Sequence, residues 1–411
     1  MNSDRIQESE LLQRICMPLL AWYKVNHRQM KWRQNPLPYY VWVSEIMLQQ
    51  TRVEAVKPYF DRFVAELPGI PALACCDEDR LLKLWEGLGY YSRARNLQRA
   101  AKIIMQRYGG ELPGDVDSLL SLPGIGSYTA GAVASIAFHV PAPAVDGNVL
   151  RVLARISASR DCIDDPKVKR AFENRIRAFL SRMTGNEKKS YSGRPVLSAE
   201  GGSEQGTEAG PEQGTEAGPE QGAMPRFLPG DFNQALMELG AVVCLPNGMP
   251  DCASCPVGQM CLARRGGLID VIPVRKKKKD RRIEKKTILV IQDSHRALIR
   301  KRPDRGLLAG LWEFPNYEGH LTQDQAVREA EKLGVSCVRI RPLPGGRHIF
   351  SHVEWDMTGY LILAEELDFL KEQAAEIGRI EEEYSIPAAF SGYKAWIGKW
   401  TENNPDCTGG K

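Results

Sequence analysis

The sequence predicts a multidomain chain in which an all-α part is followed by an α+β part. Three observations carry that reading. Up to about residue 270 the apolar positions recur at helical spacing, punctuated by Gly and Pro. From Thr287 onward, short runs rich in Val, Ile and Leu replace them, bounded as strands are. Between the two lie four clustered cysteines and a run of lysines and arginines.

At 411 residues the chain can form two or three domains, each with its own core. Its apolar content of 43% and charged content of 26% are ordinary for a globular protein. The net charge of +4 says little, but acid and base are segregated along the chain. No apolar run approaches the roughly 20 residues of a membrane span. The opening MNSDRIQESE lacks a signal-peptide core, which predicts an intracellular protein of the cytoplasm or nucleoid. Ten cysteines without such a signal argue against a disulfide framework.

Residues 9–25 have helical spacing, with Pro18 expected at a turn start or kink. A basic loop with one aromatic follows, His27 to Arg33; Trp32 there could simply plug the core. Next comes an apolar helix pattern from Tyr39 to Leu48 that embeds Glu45. A carboxylate among Val, Ile, Met and Leu either pairs with an Arg on a polar stripe or holds a proton because burial raises its pKa. Residues 53–66 form another helix, and Asp77 opens a further one. Gly87 and Gly89 then break the pattern and are expected to expose Tyr90 and Tyr91 beside Arg93 and Arg95. Of the two, Tyr91 better suits a half-buried place. Tyr90, with Leu88 on the same loop, suits a wedge into a base stack.

Leu122-Pro123-Gly124-Ile125-Gly126 reads as a tight turn into a helix starting near Thr129. Gly124 and Gly126 permit positive φ and close backbone approach, so amides at that helix start could face a phosphate. Asp146-Gly147-Asn148 follows an apolar helix and a Pro-punctuated loop, delivering a carboxylate near the turn. Together they suggest chemistry beside a nucleic-acid backbone.

Lys167–Arg182 is an amphipathic helix. Beyond it, EQGTEAGP recurs with a period of eight at Glu204 and Glu212. This acidic stretch cannot bury enough apolar area to offset its ordering entropy and should be a disordered insertion. A short helix returns at Phe232–Gly240, carrying Glu238. Cys244, Cys252, Cys255 and Cys261 then follow the pattern C-x7-C-x2-C-x5-C, which points to a metal but does not separate zinc from iron–sulfur. The basic linker from Arg275 to Lys286 is a solvated hinge, a nonspecific phosphate attractor, or both. After it come strands at 287–291 and 297–302, a helix at 322–333, and strands at 335–343 and 348–364.

These motifs carry a resemblance. LPGIGSYTAGAV resembles the helix–hairpin–helix of the endonuclease III superfamily of DNA glycosylases, and VDGNV resembles its catalytic-aspartate loop. With SEIMLQQT, the cysteine cluster and the loop Phe350-Ser351-His352, the chain resembles the MutY-type adenine DNA glycosylases. The likeness covers nearly everything except the repeat insertion and the extreme termini. It implies an all-α helix–hairpin–helix glycosylase domain with an iron–sulfur cluster loop, then an α+β Nudix-like domain. The implied activity is removal of adenine opposite 8-oxoguanine or guanine in double-stranded DNA, by a monomer. Glu45 would be the catalytic acid and Asp146 the sugar-stabilising carboxylate, with Tyr128 and Asn148 orienting groups. Bifunctional members carry a lysine at position 128; Tyr128 implies little or no strand-cleaving lyase activity.

The same resemblance puts Arg28, Trp32, Arg33 and Glu238 around the adenine. It puts Gln50, Thr51, Leu88, Tyr90, Gly124 and Gly126 against DNA, and Phe350, Ser351 and His352 on 8-oxoguanine. The four cysteines would hold one [4Fe–4S] cluster. Two departures stand out: Met30-Lys31 replaces the family's Leu-Pro before Trp32, and the first cysteine gap is one residue longer. A working Nudix hydrolase needs REx2EExG; the helix here reads Arg328-Glu329-Ala330-Glu331-Lys332-Leu333-Gly334, which implies recognition without hydrolysis. The expected domains are 1–184 with 224–270 (catalytic), 185–223 (insertion), 271–286 (linker), 287–400 (Nudix-like) and 401–411 (tail).

Overall fold

The computed structural model describes residues 2–185, 227–246, 248–277, 280–370 and 373–399. The acidic repeat falls outside the described residues. Thirteen helices come first among them: α1 (Asn2–Asn26), α2 (Lys31–Gln34), α3 (Pro38–Leu48), α4 (Val53–Glu66), α5 (Ile70–Cys75), α6 (Glu78–Leu84), α7 (Ser92–Arg107), α8 (Val116–Leu120), α9 (Ser127–Ala137), α10 (Gly147–Ile156), α11 (Pro166–Met183), α12 (Pro229–Val242) and α13 (Leu262–Arg265). None is long and apolar enough to cross a membrane.

The chain divides into two compact units. The first comprises Met1–Ile46 and Gln106–Lys276, the second Met47–Met105 and Lys277–Lys411. In the first, Leu12, Ile15 and Leu19 of α1 pack with α10, with Phe179 of α11 and with Phe232 and Leu236 of α12. That burial explains why α1 runs unbroken through Pro18, where the sequence suggests a turn or kink. Residues Ile15, Cys16 and Leu19 around the proline are buried in the core and offset its missing N–H.

Small residues let the elements around the site approach closely. A Cβ on Gly131 of α9 would sit 1.9 Å from the Pro143 carbonyl oxygen, so only glycine admits the loop that leads to Asp146. Asn233 of α12 clasps that loop: its Nδ2 donates to Ser135 Oγ and Ala142 O, both at 2.8 Å, and its Oδ1 accepts from Ala144 N at 3.2 Å. All of this is buried, where an unpaired amide would be costly.

The second unit joins α4–α7 to a sheet. Its strands are β1 (Arg282–Gln292), β2 (Arg296–Leu298), β3 (Arg300–Lys301), β4 (Trp312–Glu313), β5 (Asn316–Glu318), β6 (Cys337–Ile349), β7 (Val353–Ala364) and β8 (Ala374–Glu376). The main sheet runs β6-β7-β1-β2-β8, with β5 also on β1, and β3 and β4 form a separate pair. β1 and β7 are parallel, from Arg282 opposite Val353 to Gln292 opposite Leu363. Between them in sequence, α14 (Gln323–Lys332) packs Ala326 and Ala330 on the sheet and starts with a Thr322–Gln325 capping box. Short helices α15 (Ile377–Glu383) and α16 (Ser391–Lys394) follow β8. The expected strand at 335–343 is the first half of one long strand, β6, which continues past the register shift between Leu343 and Gly346.

The helices and the sheet of this unit are fastened by polar contacts. Ser385 Oγ donates to Leu82 O at 3.2 Å, Ile386 N to Glu86 Oε1 at 3.1 Å, and Lys83 Nζ to Tyr384 O at 3.2 Å. Lys301 Nζ reaches Asp79 Oδ1 at 2.7 Å, and Arg95 Nη1 reaches Ala309 O at 2.7 Å.

Candidate active site and cysteine loop

Glu45 lies on α3, whose surrounding Val43, Ile46 and Met47 are buried; it is itself only 6% exposed. Of its two sequence readings, the buried acid is the one realised. Tyr128, in the first turn of α9, donates its hydroxyl to Glu45 Oε2 at 2.6 Å. Burial pushes the Glu45 carboxyl up to about 7, with the Asp146 charge adding and the Tyr128 hydrogen bond and Arg33 opposing. The same burial, with Glu45 beside it, raises the Tyr128 phenol well above its ordinary range, so it stays a proton donor in the hydrogen bond.

Asp146 caps α10: its Oδ1 accepts from Val149 N and its Oδ2 from Asn148 Nδ2, both at 2.8 Å. Burial raises its pKa, and those donated bonds pull the other way. Behind it, Arg151 Nη2 donates to Asn148 Oδ1 at 2.9 Å and to Gly240 O at 2.7 Å, while Nε donates to Cys244 O at 2.8 Å. The carboxylate is thus held through Asn148 and Arg151 to the start of the cysteine loop. Two carboxyls near one another, one dry and one rich in donors, can be in different protonation states at neutral pH.

Glu238 stands on α12 with its side chain wholly buried. It accepts from Arg28 N at 3.0 Å, Arg28 Nε at 2.7 Å, Arg28 Nη2 at 3.0 Å and Arg33 Nη2 at 2.8 Å. Burial alone would raise its pKa, but these arginines hold it down at about 2. Arg33 also stacks over Tyr23, and Trp32 is buried. Arg28, Arg33 and Glu238 therefore come together although they span more than 200 residues of sequence, and Trp32 is buried on the same short helix as Arg33. At the hairpin, Gly124 has φ +79°, but Gly126 at −98° does not use the left-handed region. Ser127, just after it, donates to Glu173 Oε1 at 2.9 Å.

In the second unit, Gln50 and Tyr90 both have positive φ, at 58° and 48°, which is unusual for non-glycine residues. Tyr90 is 46% exposed while Tyr91 is buried, so the loop presents the first tyrosine and packs the second more deeply than the half-buried place expected of it. Leu88 is buried as well. Arg93 organises this loop: it donates to Met47 O at 2.9 Å, Gln49 O at 2.7 Å, Leu88 O at 2.9 Å and Thr51 Oγ1 at 3.3 Å. The Tyr90 hydroxyl is 3.0 Å from Ser351 Oγ. These two residues, with His348, Phe350, His352 and Leu308, line a cleft of about 710 Å³. Ser351 and His352 are exposed, and Phe350 packs its ring against Trp355 at 4.9 Å.

Cys244, Cys252, Cys255 and Cys261 line one cavity with Val152, Ile156, Leu239 and Ile269. No three His, Cys, Asp or Glu side chains among the described residues are grouped so as to hold a metal ion. The chemistry of the donor set nevertheless fits a cationic group. Burial pushes the Cys255 thiol up to about 11 and raises the Cys261 thiol too, with neighbouring cysteines adding to both, so these two favour ionisation only around positive charge. Arg155 Nη1 donates to Cys244 Sγ at 3.3 Å, the kind of support a thiolate ligand needs.

Sequence reasoning missed Asn233, Arg151 and Arg155, and it read Arg93 as a cation for phosphates where the structure buries it against backbone carbonyls. A lone asparagine or arginine in a helix gives no signal of its own; burial was needed to single them out.

Comparison with known proteins agrees with this layout. Residues 43–178 match the HhH-GPD superfamily of base excision DNA repair proteins, and residues 287–393 match the NUDIX domain. An adenine DNA glycosylase of Arabidopsis thaliana is 35% identical over 365 residues, covering 79% of this chain and 50% of that protein. The chain thus spans about half the length of that relative. The mouse adenine DNA glycosylase is 32% identical, covering 82% of this chain and 68% of its own. The adenine DNA glycosylase of Buchnera aphidicola subsp. Schizaphis graminum is 31% identical, covering 81% and 83%. With a buried glutamate, a capping aspartate and a cysteine loop placed as described, and with the mouse and Buchnera relatives matched over more than two thirds of their own length, the chain belongs to the adenine DNA glycosylase family of base excision repair enzymes.

Proposed function

We propose that this protein hydrolyses the N-glycosidic bond of adenine opposite 8-oxoguanine, or opposite guanine, in double-stranded DNA. It acts as a monomer, with little or no lyase activity. The observation that carries the reading is the buried Glu45, hydrogen-bonded by Tyr128 and held near neutral pKa beside Asp146. Glu45 delivers a proton to the adenine ring as the bond to C1′ lengthens, a step worth roughly 10²–10⁴-fold. Asp146, ionised and fixed by Val149 and Asn148, stabilises the sugar cation. The adenine is turned out of the duplex towards Arg28, Trp32, Arg33 and Glu238, while the hairpin at Gly124 and Gly126 holds the backbone. Tyr128 carries no amine and cannot form a Schiff base, which supports a monofunctional reaction.

Recognition of 8-oxoguanine belongs, in this reading, to the cleft of Tyr90, Ser351 and His352, with Gln50, Thr51 and Leu88 shaping the opposite wall of the lesion site. Residues 1–184 with 224–270 form the catalytic domain and 287–400 the reading domain. Cys244, Cys252, Cys255 and Cys261 hold one [4Fe–4S] cluster, whose contribution when bound is to fold their loop. Protein prepared anaerobically should contain about four irons and four sulfides per chain and absorb in the visible. Stoichiometric zinc without colour would overturn that assignment.

Single-turnover cleavage decides the rest. Duplexes with adenine opposite 8-oxoguanine or guanine should lose the base, with strand breaks only after alkali; duplexes with thymine or cytosine should not react. Release of thymine, or breaks without alkali, would overturn the proposal. Replacing Ser351 and His352 together by Ala should narrow the preference for 8-oxoguanine over guanine by about 1–3 kcal/mol, the worth of one good base contact. An unchanged ratio would remove the reading role from this loop.

A further inference from the structure

The proposed reaction gives no task to the first residue of the basic run, Arg275, yet that residue is built into the first unit. Its backbone is fixed on both sides. Arg155 Nε donates to Ile272 O at 2.8 Å, Ile163 N donates to Val274 O at 3.0 Å, and Lys276 N donates to Asp164 Oδ2 at 2.9 Å. Val274 also forms a parallel bridge with Cys162. Arg275 Nη1 lies 3.5 Å from Asp164 Oδ1, with its side chain half exposed.

Its position is informative. A Cβ built on Gly147 would meet, apart from the adjacent residues and its own helix, only Arg275 Nη2 within 4 Å among the described residues, at 3.9 Å. Gly147 is exposed and follows Asp146 directly. The surface beside the reacting carboxylate is therefore open, bare of side chains on the glycine, and bounded by a guanidinium. Arg151, on the inner side of the same helix, is buried in its bonds to Asn148, Gly240 and Cys244. Arg275 is the outward cation of the two. A guanidinium has five N–H donors, and a single long contact with Asp164 leaves donors for a second anion.

We infer that Arg275 binds a DNA phosphate that flanks the adenosine undergoing cleavage, using the open surface at Gly147 next to Asp146. The phosphates of a nucleotide lie one sugar's width from its C1′, so a carboxylate at C1′ and a guanidinium just beyond it match the charges of one nucleotide. Asp164 holds the cation in register before DNA arrives. The inference rests on the proposed glycosylase reading.

The test uses the full-length protein on the duplex with adenine opposite 8-oxoguanine. Arg275→Ala should raise Kd about tenfold at moderate salt and lower the slope of log K against log salt by about one phosphate. The saturating single-turnover rate should fall less than the affinity, because the phosphate is held before and during the reaction. Arg275→Lys should recover most of the affinity. Duplexes with a neutral methylphosphonate at either phosphate flanking the adenosine complete the cycle: at one of them, wild type and Arg275→Ala should bind alike. An unchanged salt slope, or an affinity loss that persists with both methylphosphonates, would overturn the assignment. If wild type itself releases no adenine, the glycosylase reading fails first, a result separable from failure at Arg275.

Discussion

Glu45→Gln should stop adenine release while leaving the lesion duplex bound. The glutamine keeps the shape of the side chain and can still accept the Tyr128 hydroxyl that now sits 2.6 Å from Oε2, but it has no proton to give. We expect the single-turnover rate to fall at least 10²–10⁴-fold, the range of a lost general acid. In the wild type, the rate should decline as pH rises through about 7, where Glu45 gives up its proton. The same shift has a sign in stability. A carboxyl raised from 4.5 to about 7 on folding favours the native state below its unfolded pKa, and that contribution is lost as pH climbs through the folded pKa. At pH 8 the buried charge therefore costs up to about 3 kcal/mol. Glu45→Gln should be inactive and yet unfold at higher denaturant at pH 8, with the gain shrinking towards pH 4. A variant with near-normal rates, or one with the same pH profile of stability as wild type, would refute this account of Glu45.

Glu238→Ala should be the most damaging change to stability near the site. It takes the buried carboxylate from two arginines: Arg33, whose side chain is 11% exposed, and Arg28 at 31%. Removing one member of a buried ion pair costs about 3–5 kcal/mol, because the remaining charge loses its partner without regaining water. The pH dependence runs opposite to that of Glu45. Glu238 is held down at about 2, so its contribution is present above about 4.5 and fades as pH falls towards 2. Urea unfolding at pH 7 measures the loss. A change below about 1 kcal/mol would mean that the arginines find water or other partners when the carboxylate goes.

The sequence showed the architecture and the reacting groups with unequal clarity. Glu45 was legible because a carboxylate inside an apolar helix has to be explained, and Asp146 because it follows a Pro-punctuated loop soon after a glycine turn. The link from Glu45 to Tyr128 was not, since it joins α3 to α9 and no local pattern encodes a contact 83 residues long. Glu238 alone looks like any helix glutamate; its two arginines lie more than 200 residues earlier. Pro18 starts no turn, because burial of Ile15 and Leu19 carries the helix through it. Leu88, expected beside Tyr90 at the wedge, was placed by packing that Gly87 and Gly89 do not reveal. The compact units do not follow the order of the chain. Met47–Met105 looks continuous with the helices around it, yet it shares a compact unit with the sheet that begins at β1.

That division has a consequence for how the protein is made. Helices α4–α7 leave the ribosome well before the strands that complete their unit, with residues 106–276 synthesised in between. At about 5–20 residues per second the interval is on the order of ten seconds or more. Throughout it, the carbonyl of Leu82 and the side chains of Lys83, Glu86 and Arg95 stand without Ser385, Tyr384, Ile386 and Ala309. The nascent chain must therefore be kept from misassociation until its last quarter emerges, and a premature stop in that quarter leaves an early-made surface permanently uncovered.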